Sequence, residues 1–514
     1  MDVIVGTSFR NSISEQGGGS SQSIPLEVQF DPNFQILDAG QDTIDLANGT
    51  IGVEYKLISY YGRLLYDFDN KYLFSATIRR DGSSNFGSAN RFGIFPSFSA
   101  GWVISDESFF NGGPINFLKL RASWGLNGND RIRPLSFASR IENVFTYPTG
   151  IDQSLNTGSA LATPPNPNIK WEESAQIDIG VEVRLWDDKL SAEFDVYRKT
   201  TKDLLMDQNI PGFIGATNNP ISNLGEIENT GFEASVNYKF NLGGVRINTG
   251  LNYTTFSNVV NDVAGEAGFI NGWNWPVRNQ AITRMTEGFP VAHFIGYQTD
   301  GIFQSQAEVF SHINSAGDVL QPNAAPGDLR FVDTNGDGMI NTDDIGDIGS
   351  PWPDHIIGLT ISAEYKGFDF NAVLGTQLGH DIYRTYERSD ITFTNYQEFW
   401  LDRWTPDNPN GTLPRLVSND PNNNQRPSDF YVEDGSFLRL RNLQVGYNFP
   451  QRWISRAQLK GLRLYFSANN LVTVTNYRGF DPEIGVNGWI LDTGIDKGFY
   501  PSNRTIGAGL KITL

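Results

Sequence analysis

The chain has 514 residues, 39% hydrophobic and 19% charged, with a formal net charge of −19 at pH 7. That balance excludes the basic surface that nucleic-acid binding needs, so no nucleic-acid partner is expected; the lack of cysteine excludes disulfides, thiol nucleophiles and Cys-based metal sites. No run of about 18 apolar residues exists, which excludes a transmembrane helix, and a soluble chain this long would ordinarily divide into several domains.

Residues 1–6 lack the basic start and long apolar stretch of a signal peptide, so an export signal is expected to lie elsewhere. Residues 2–10 predict a short strand, and the run containing Gly17, Gly18, Gly19, Ser20 and Ser21 predicts a loop. Residues 52–67 and 71–81 predict a hairpin around Asp69 and Asn70. Residues 92–104 and 117–127 follow; in the second, Leu118, Leu120, Ala122 and Trp124 alternate with Lys119, Arg121, Ser123 and Gly125. A polar, Pro-rich connection then reaches Glu173.

The clearest pattern spans residues 174–198. Ala175, Ile177, Ile179, Val181, Val183 and Leu185 alternate with polar residues, Trp186 to Lys189 reverse the chain, and Leu190, Ala192, Phe194 and Val196 resume the alternation. Each arm has about ten residues, the length of a tilted strand crossing a bilayer, with charges on one face only. Residues 232–240 and 245–253 pair next, followed by a long excursion over about 260–353. Residues 357–365 and 368–374 pair across Lys366 and Gly367. A polar loop reaches Asp434, and residues 437–449, 462–468 and 506–514 close the series. A register slip near Asn442 predicts a bulge.

The total is about fourteen strands. Tight turns near Asp69, Asp188, Gly243 and Gly367 take turns with loops of roughly 25 to 95 residues, the alternation of an outer-membrane barrel. If the last strand runs inward, every tight turn falls on the periplasmic side and every long loop outside. The expected fold is all-β, a transmembrane antiparallel β-barrel. A large soluble β protein, an enzyme or a lectin, would have more even connections.

Asp333, Asn335, Asp337, Met339, Asn341 and Asp344 occupy positions 1, 3, 5, 7, 9 and 12 of a stretch with Gly338 at its sixth position. This is the oxygen spacing of a calcium loop, in which the glycine permits the sharp turn. Asp344 stands where Glu is usual and offers a shorter arm. No helical pattern flanks the stretch, so it is not a full EF-hand. The competing reading is an Asx-rich turn that needs no ion. Bound calcium would brace the long loop and do no chemistry. The four histidines, His293, His312, His355 and His380, show no metal-ligand spacing, and with no paired catalytic groups an enzyme is not expected. Trp273 and Trp275, with Phe269 and Phe289 nearby, and Tyr396, Trp400 and Trp404 form two loop clusters. They are candidates for stacking on a sugar or meeting a partner, against the alternative that the loops pack on each other.

Several stretches resemble the SusC/RagA-like TonB-dependent outer-membrane transporters of the Bacteroidetes. They are Arg79 to Gly87 with Arg91 to Trp102, Leu118 to Gly125, and Pro165 to Glu172 with Trp171. Asn229 to Glu233, Gly296 to Phe303, and Asp333 to Asp344 continue in order, followed by Arg403 to Pro406, Leu438 to Leu443 and Ala468 to Leu471. The resemblance implies a barrel of about 22 strands, of which this chain would be the C-terminal portion. The signal sequence, TonB box and plug of the longer family members are not visible in it. It also implies residence in the cell outer membrane among its lipids, import of oligosaccharides or peptides, a SusD-like surface lipoprotein over the loops, and the TonB system acting through the plug portion. Leu514 departs from the aromatic last residue usual in such barrels. A passive pore closed from these strands alone is the alternative.

Overall fold

The computed structural model describes residues 1–13, 15–20, 46–51, 54–264, 268–387, 395–417, 419–485 and 488–514. Fourteen strands form one antiparallel sheet in which each pairs with its neighbours in chain order. They are β1 (Asp2–Ser12), β2 (Tyr55–Phe68), β3 (Tyr72–Ser83), β4 (Phe92–Val103), β5 (Ile115–Asn129), β6 (Glu172–Leu185) and β7 (Leu190–Lys202). Then come β8 (Glu226–Leu242), β9 (Val245–Asp262), β10 (His355–Tyr365), β11 (Phe368–Leu378), β12 (Phe437–Asn448), β13 (Gly461–Thr475) and β14 (Thr505–Thr513). The predicted starts at Gly52 and the loop residue Ser21 lie outside the described residues.

Alternation sets the two faces. Leu120 lies opposite Val181, and Val181 opposite Phe194; one step along, Lys119 lies opposite Glu182, and Glu182 opposite Glu193. The apolar face stays uncovered, with Leu120 at 42%, Ile177 at 48% and Ile179 at 54% exposure. The polar face is cross-linked by charge: Arg121 Nη2 lies 2.5 Å from Asp195 Oδ2, Lys119 faces Glu182 at 4.0 Å, and Arg463 Nε donates to Asp369 Oδ2 at 3.1 Å. Such a sheet has one side suited to hydrocarbon and the other to a wet interior. Gly180 makes the Arg121–Asp195 pair possible. It lies between them on the middle strand, and a Cβ there would sit 2.0 Å from Asp195 Oδ1 and 2.5 Å from Arg121 Nε.

Connections alternate in length around the sheet. On one side are the turns at 69–71, 186–189, 243–244 and 366–367, joined by short segments at 104–114 and 449–460. The turn residues adopt left-handed φ, 57° at Asp69 and 54° at Asn70, 56° and 85° at Gly243 and Gly244, and 47° and 91° at Lys366 and Gly367. Positive φ at both central residues matches the right-handed twist of the arms it joins. Trp102, Trp186, Tyr365 and Phe368 on this turn side are all at least one-third exposed, as an aromatic girdle requires. The opposite, loop side carries every long connection. The sheet is not closed: among the described residues β1 pairs only with β2, and β14 only with β13. The fourteen strands alone therefore do not form the closed pore of the alternative reading.

Two hairpins depart from the expected loops. Arg140–Thr149 pairs with Ser154–Thr163 inside the connection read as polar and Pro-rich, and Glu15–Ser20, which holds Gly17, Gly18, Gly19 and Ser20 of the run expected to be a loop, pairs with Leu46–Ile51. Both are weakly alternating and lie outside the sheet, so the period-two signal missed them.

Candidate functional site

The loop side is a single folded layer. Leu204, Met206 and Leu224, between β7 and β8, pack against Ile270, Met285 and Val291 from the β9–β10 connection and Leu491 from the β13–β14 connection. A second core joins Trp275, Ile282 and Phe294 to Tyr383, Tyr431 and Ile495. A third seats Phe86, Ile169 and Trp171 on Phe95 of β4. Backbone pairing reinforces this: Asp381–Arg384 pairs antiparallel with Val432–Asp434 and parallel with Ile495–Asp496.

Buried polar groups stitch the same loops. The Asp328 carboxylate accepts from Arg415 Nε at 2.7 Å and Nη2 at 2.9 Å, and from Asn424 Nδ2 at 2.9 Å. Arg384 is fully buried, ion-paired with Glu387 and 2.9 Å from Glu433 Oε1, with its guanidinium 5.3 Å from the Phe399 ring. Burial by itself lowers the pKa of this group, and Glu387 and Glu433 more than offset it, holding the cation above its ordinary range.

The β13–β14 connection folds back onto the inner wall. Arg439 of β12, 3% exposed, donates from Nη1 to Glu483 Oε2 at 2.9 Å and from Nε to Thr473 Oγ1 at 3.0 Å, and pairs with Asp481. Arg441 Nη2 reaches Glu483 Oε1 at 2.9 Å. The register slip predicted near Asn442 is present, and Arg441 is the residue the ladder skips. These arginines stood within a stretch noted for resemblance, but their acidic partners lie some 40 residues away, beyond the reach of periodicity.

The calcium-like stretch folds as a chain of Asx turns. Asp333 accepts from the N–H of Gly336 at 2.7 Å and of Gly338 at 2.8 Å, Asn335 from Asp337 N–H at 2.8 Å, and Asp337 from Met339 N–H at 2.8 Å. Asp344, 1% exposed, accepts from Thr334 N–H and Asn341 N–H, each at 2.8 Å, and Asn341 Nδ2 donates to Asp337 Oδ2 at 3.0 Å. The side-chain oxygens of Asp333, Asn335, Asp337, Asn341 and Asp344 thus gather on one small loop, each side chain already holding a donor. Among the described residues no group of three or more His, Cys, Asp or Glu side chains is spaced to hold a metal ion.

Two other aromatics, Tyr431 and Phe430, link Trp275 of the first aromatic cluster to Trp400 of the second. Trp275, 1% exposed, meets Tyr431 edge-on at 4.7 Å; Tyr431 touches Phe430 at 5.0 Å, and Phe430 touches Trp400 at 6.3 Å. Trp400 Nε1 donates to Glu387 Oε1 at 3.0 Å. Trp275 and Trp400 are thus packed inside the layer, as the alternative reading had it. Trp404 is half-buried against Gly327, Trp273 lies under Lys497 Nζ at 4.2 Å, and Tyr396 is 39% exposed.

The description "TonB dependent receptor-like, beta-barrel" belongs to the family model that matches residues 5–471. TonB-dependent receptor P3 of Formosa agariphila is 34% identical, over 98% of this chain and 50% of its own length. TonB-dependent receptor SusC of Bacteroides thetaiotaomicron is 29% identical, over 89% of this chain and 43% of its own length. The solved RagAB peptide transporter superposes with a TM-score of 0.79 at 22% identity, over 99% of this chain and 53% of that one, a likeness of fold. The chain spans about half the length of the curated relatives it matches. It belongs to the TonB-dependent receptor-like β-barrel family, on the SusC/RagA-like side that its sequence hallmarks indicated.

Proposed function

We propose that the chain is the C-terminal barrel wall and outer loop layer of an outer-membrane importer of oligomeric nutrients, glycans or peptides, driven through TonB. The observation that carries this is the sheet itself. Its outer face is apolar and bare, its inner face is ion-paired, and its long connections gather into one layer at one end. A layer so placed is suited to receive a SusD-like lipoprotein outside, while the turns face the periplasm. In this reading the plug, and the TonB contact it bears, comes from residues outside this sequence. The solved neighbour is described as a peptide importer, which favours a peptide or a similarly sized oligomer without choosing between them. Tyr396, 39% exposed and backed edge-on by Trp400, remains accessible for stacking on cargo or partner. We propose calcium as a brace for the loop from Asp333 to Asp344.

The test is uptake by the native host with and without this gene, using fluorescently labelled oligosaccharide and peptide mixtures, with TonB present or deleted. Loss of import of one class in both deletions is expected. Import that persists without the gene, or that ignores TonB, sinks the proposal.

A further inference from the structure

The bare outer face is not uniform. Between β6 and β9 a groove of about 570 Å³ opens on the hydrocarbon-facing side. Its floor toward the turn side is the row Ile179, Val196, Phe232 and Thr255, and Ile177 lies one step nearer the loops. Phe232 is held between Phe194 at 6.4 Å and Tyr253 at 6.2 Å. Toward the loop side the same strands change character. Val196 is followed by Arg198 on its face, Phe232 is preceded by Thr230, and Tyr253 leads to Thr255 and Ser257. The hydroxyls of Thr230, Thr255 and Ser257 have no hydrogen-bond partner among the described residues. Arg198 Nη2 donates to Glu228 Oε2 at 2.6 Å, with its side chain 63% exposed.

At the loop-side level Arg198, Thr230 and Ser257 lie side by side next to Ile177, whereas the level below is apolar but for Thr255, so the groove is mainly apolar at depth and polar at its loop-side mouth on three adjacent strands. An acyl chain with an ester and a headgroup has that same order of polarity. Hydrocarbon bathes this face if the sheet sits in the membrane as proposed above, and the rim offers a cation with free hydroxyls beside it. We propose that the groove is a specific lipid site. One acyl chain of a phosphate-bearing lipid from the loop-side leaflet lies along Ile179, Ile177, Val196 and Phe232. Its ester and phosphate meet Ser257, Thr230 and Arg198, with Thr255 beside the top of the chain. A second copy of this chain fits less well, because it would bury the three hydroxyls and the ion pair without supplying their partners.

The inference rests on the membrane placement, and its test separates the two. The receptor carrying this chain is extracted from its membrane in mild detergent and its retained lipid is read by native mass spectrometry. Phosphatidylethanolamine, phosphatidylglycerol and diacylglycerol then serve as added probes. The expected result is one retained phospholipid per chain. Thr255→Trp, which fills the groove, lowers its retention about tenfold, what roughly two buried methylenes contribute. Arg198→Gln, at an exposed position that leaves the sheet intact, weakens the two phospholipids and leaves diacylglycerol unchanged. A membrane-embedded Thr255→Trp receptor that keeps its lipid overturns the groove alone. So does a Ser257→Cys variant that cross-links two chains. Absence of the wild-type chain from the membrane fraction overturns the membrane placement and the groove together.

Discussion

At Arg439 a single side chain joins wall and loop layer. The guanidinium is 3% exposed and shared between Asp481 and Glu483, so truncating it strands the buried Asp481 carboxylate, while Glu483 keeps Arg441. Arg439→Met should cost about 3–5 kcal/mol of local stability and release the β13–β14 connection, seen as new protease cleavage near residues 481–483 with the sheet intact; unchanged cleavage contradicts this role. His380 makes a pH-dependent contribution. Its ring is buried against Ile382 and Phe437, and burial holds its pKa below the ordinary value although Pro482 and Asp434 favour the proton. The unfolded chain therefore binds a proton where the folded one does not, and stability falls as pH drops through about 6.5. Burial raises Asp381, which acts in the opposite sense but in the carboxylate range. Proteolysis of the loop layer should be faster at pH 5.5 than at 7.5, and His380→Phe should flatten that difference. In the loop from Asp333, the N–H of Met339 first, then Asn341, holds the Asp337 carboxyl below its usual range, so the charge a cation would meet is present at neutral pH. Calcium should protect this loop from protease and Asp337→Ala should abolish the protection; identical cleavage with calcium and with chelator removes the ion from the account. The sequence displayed these donors because their spacing is local. It concealed Asp328 and Arg439, whose partners come from other connections, and Arg384, whose partner Glu433 lies at the far end of its own.

Strands were the most legible elements, and the places where they were misread have a physical cause. All fourteen predicted strands form, because each must show hydrocarbon one face and water the other. Their loop-side ends were read short. β8 begins at Glu226 and not at 232, β9 runs to Asp262 and not 253, and β13 reaches Thr475 and not 468. Past the bilayer both faces are wet, so nothing enforces alternation and only backbone pairing continues the ladder. The loop layer was illegible for the converse reason: apart from the two hairpins of the β1–β2 and β5–β6 connections, its strands of two to four residues are too short to show a period. Gly180 shows how an element depends on one missing side chain. Gly180→Val would place Cβ 2.0 Å from Asp195 Oδ1 and force the Arg121–Asp195 pair apart across β6. The expected cost is about 1–3 kcal/mol, as for overpacking, read as a lower temperature for loss of the heat-modifiable band of the whole receptor on gels. Gly243→Ala, in a turn with open space around it, should cost about 1 kcal/mol through its positive φ alone.

At the scale of the whole molecule the governing fact is that the sheet has two edges. β1 and β14 each leave one row of N–H and C=O groups without a strand partner among the described residues. Water would satisfy those rows at modest cost, but in hydrocarbon each unpaired group costs several kcal/mol, and a strand near ten residues presents about ten, an N–H and a C=O from every second residue, on its open side. No rearrangement within the loop layer relieves this, since the layer sits at one end of the strands and the edges run their full length. Outward side chains sharpen the problem: Val3, Val5 and Phe9 on β1 and Leu510 and Ile512 on β14 are all more than half exposed, so both edges belong at the depth of the hydrocarbon. The wall therefore needs further strands, docked on β1 and on β14, before it is stable in a bilayer. Refolded by itself into phospholipid vesicles, this polypeptide should give aggregates or a protease-sensitive, surface-bound form, with no heat-modifiable band and no single-channel conductance. Supplied with the remaining strands of its receptor, it should become protease-resistant and heat-modifiable. A discrete, reproducible conductance from this chain alone would show that β1 and β14 can meet, and would restore the self-closed pore.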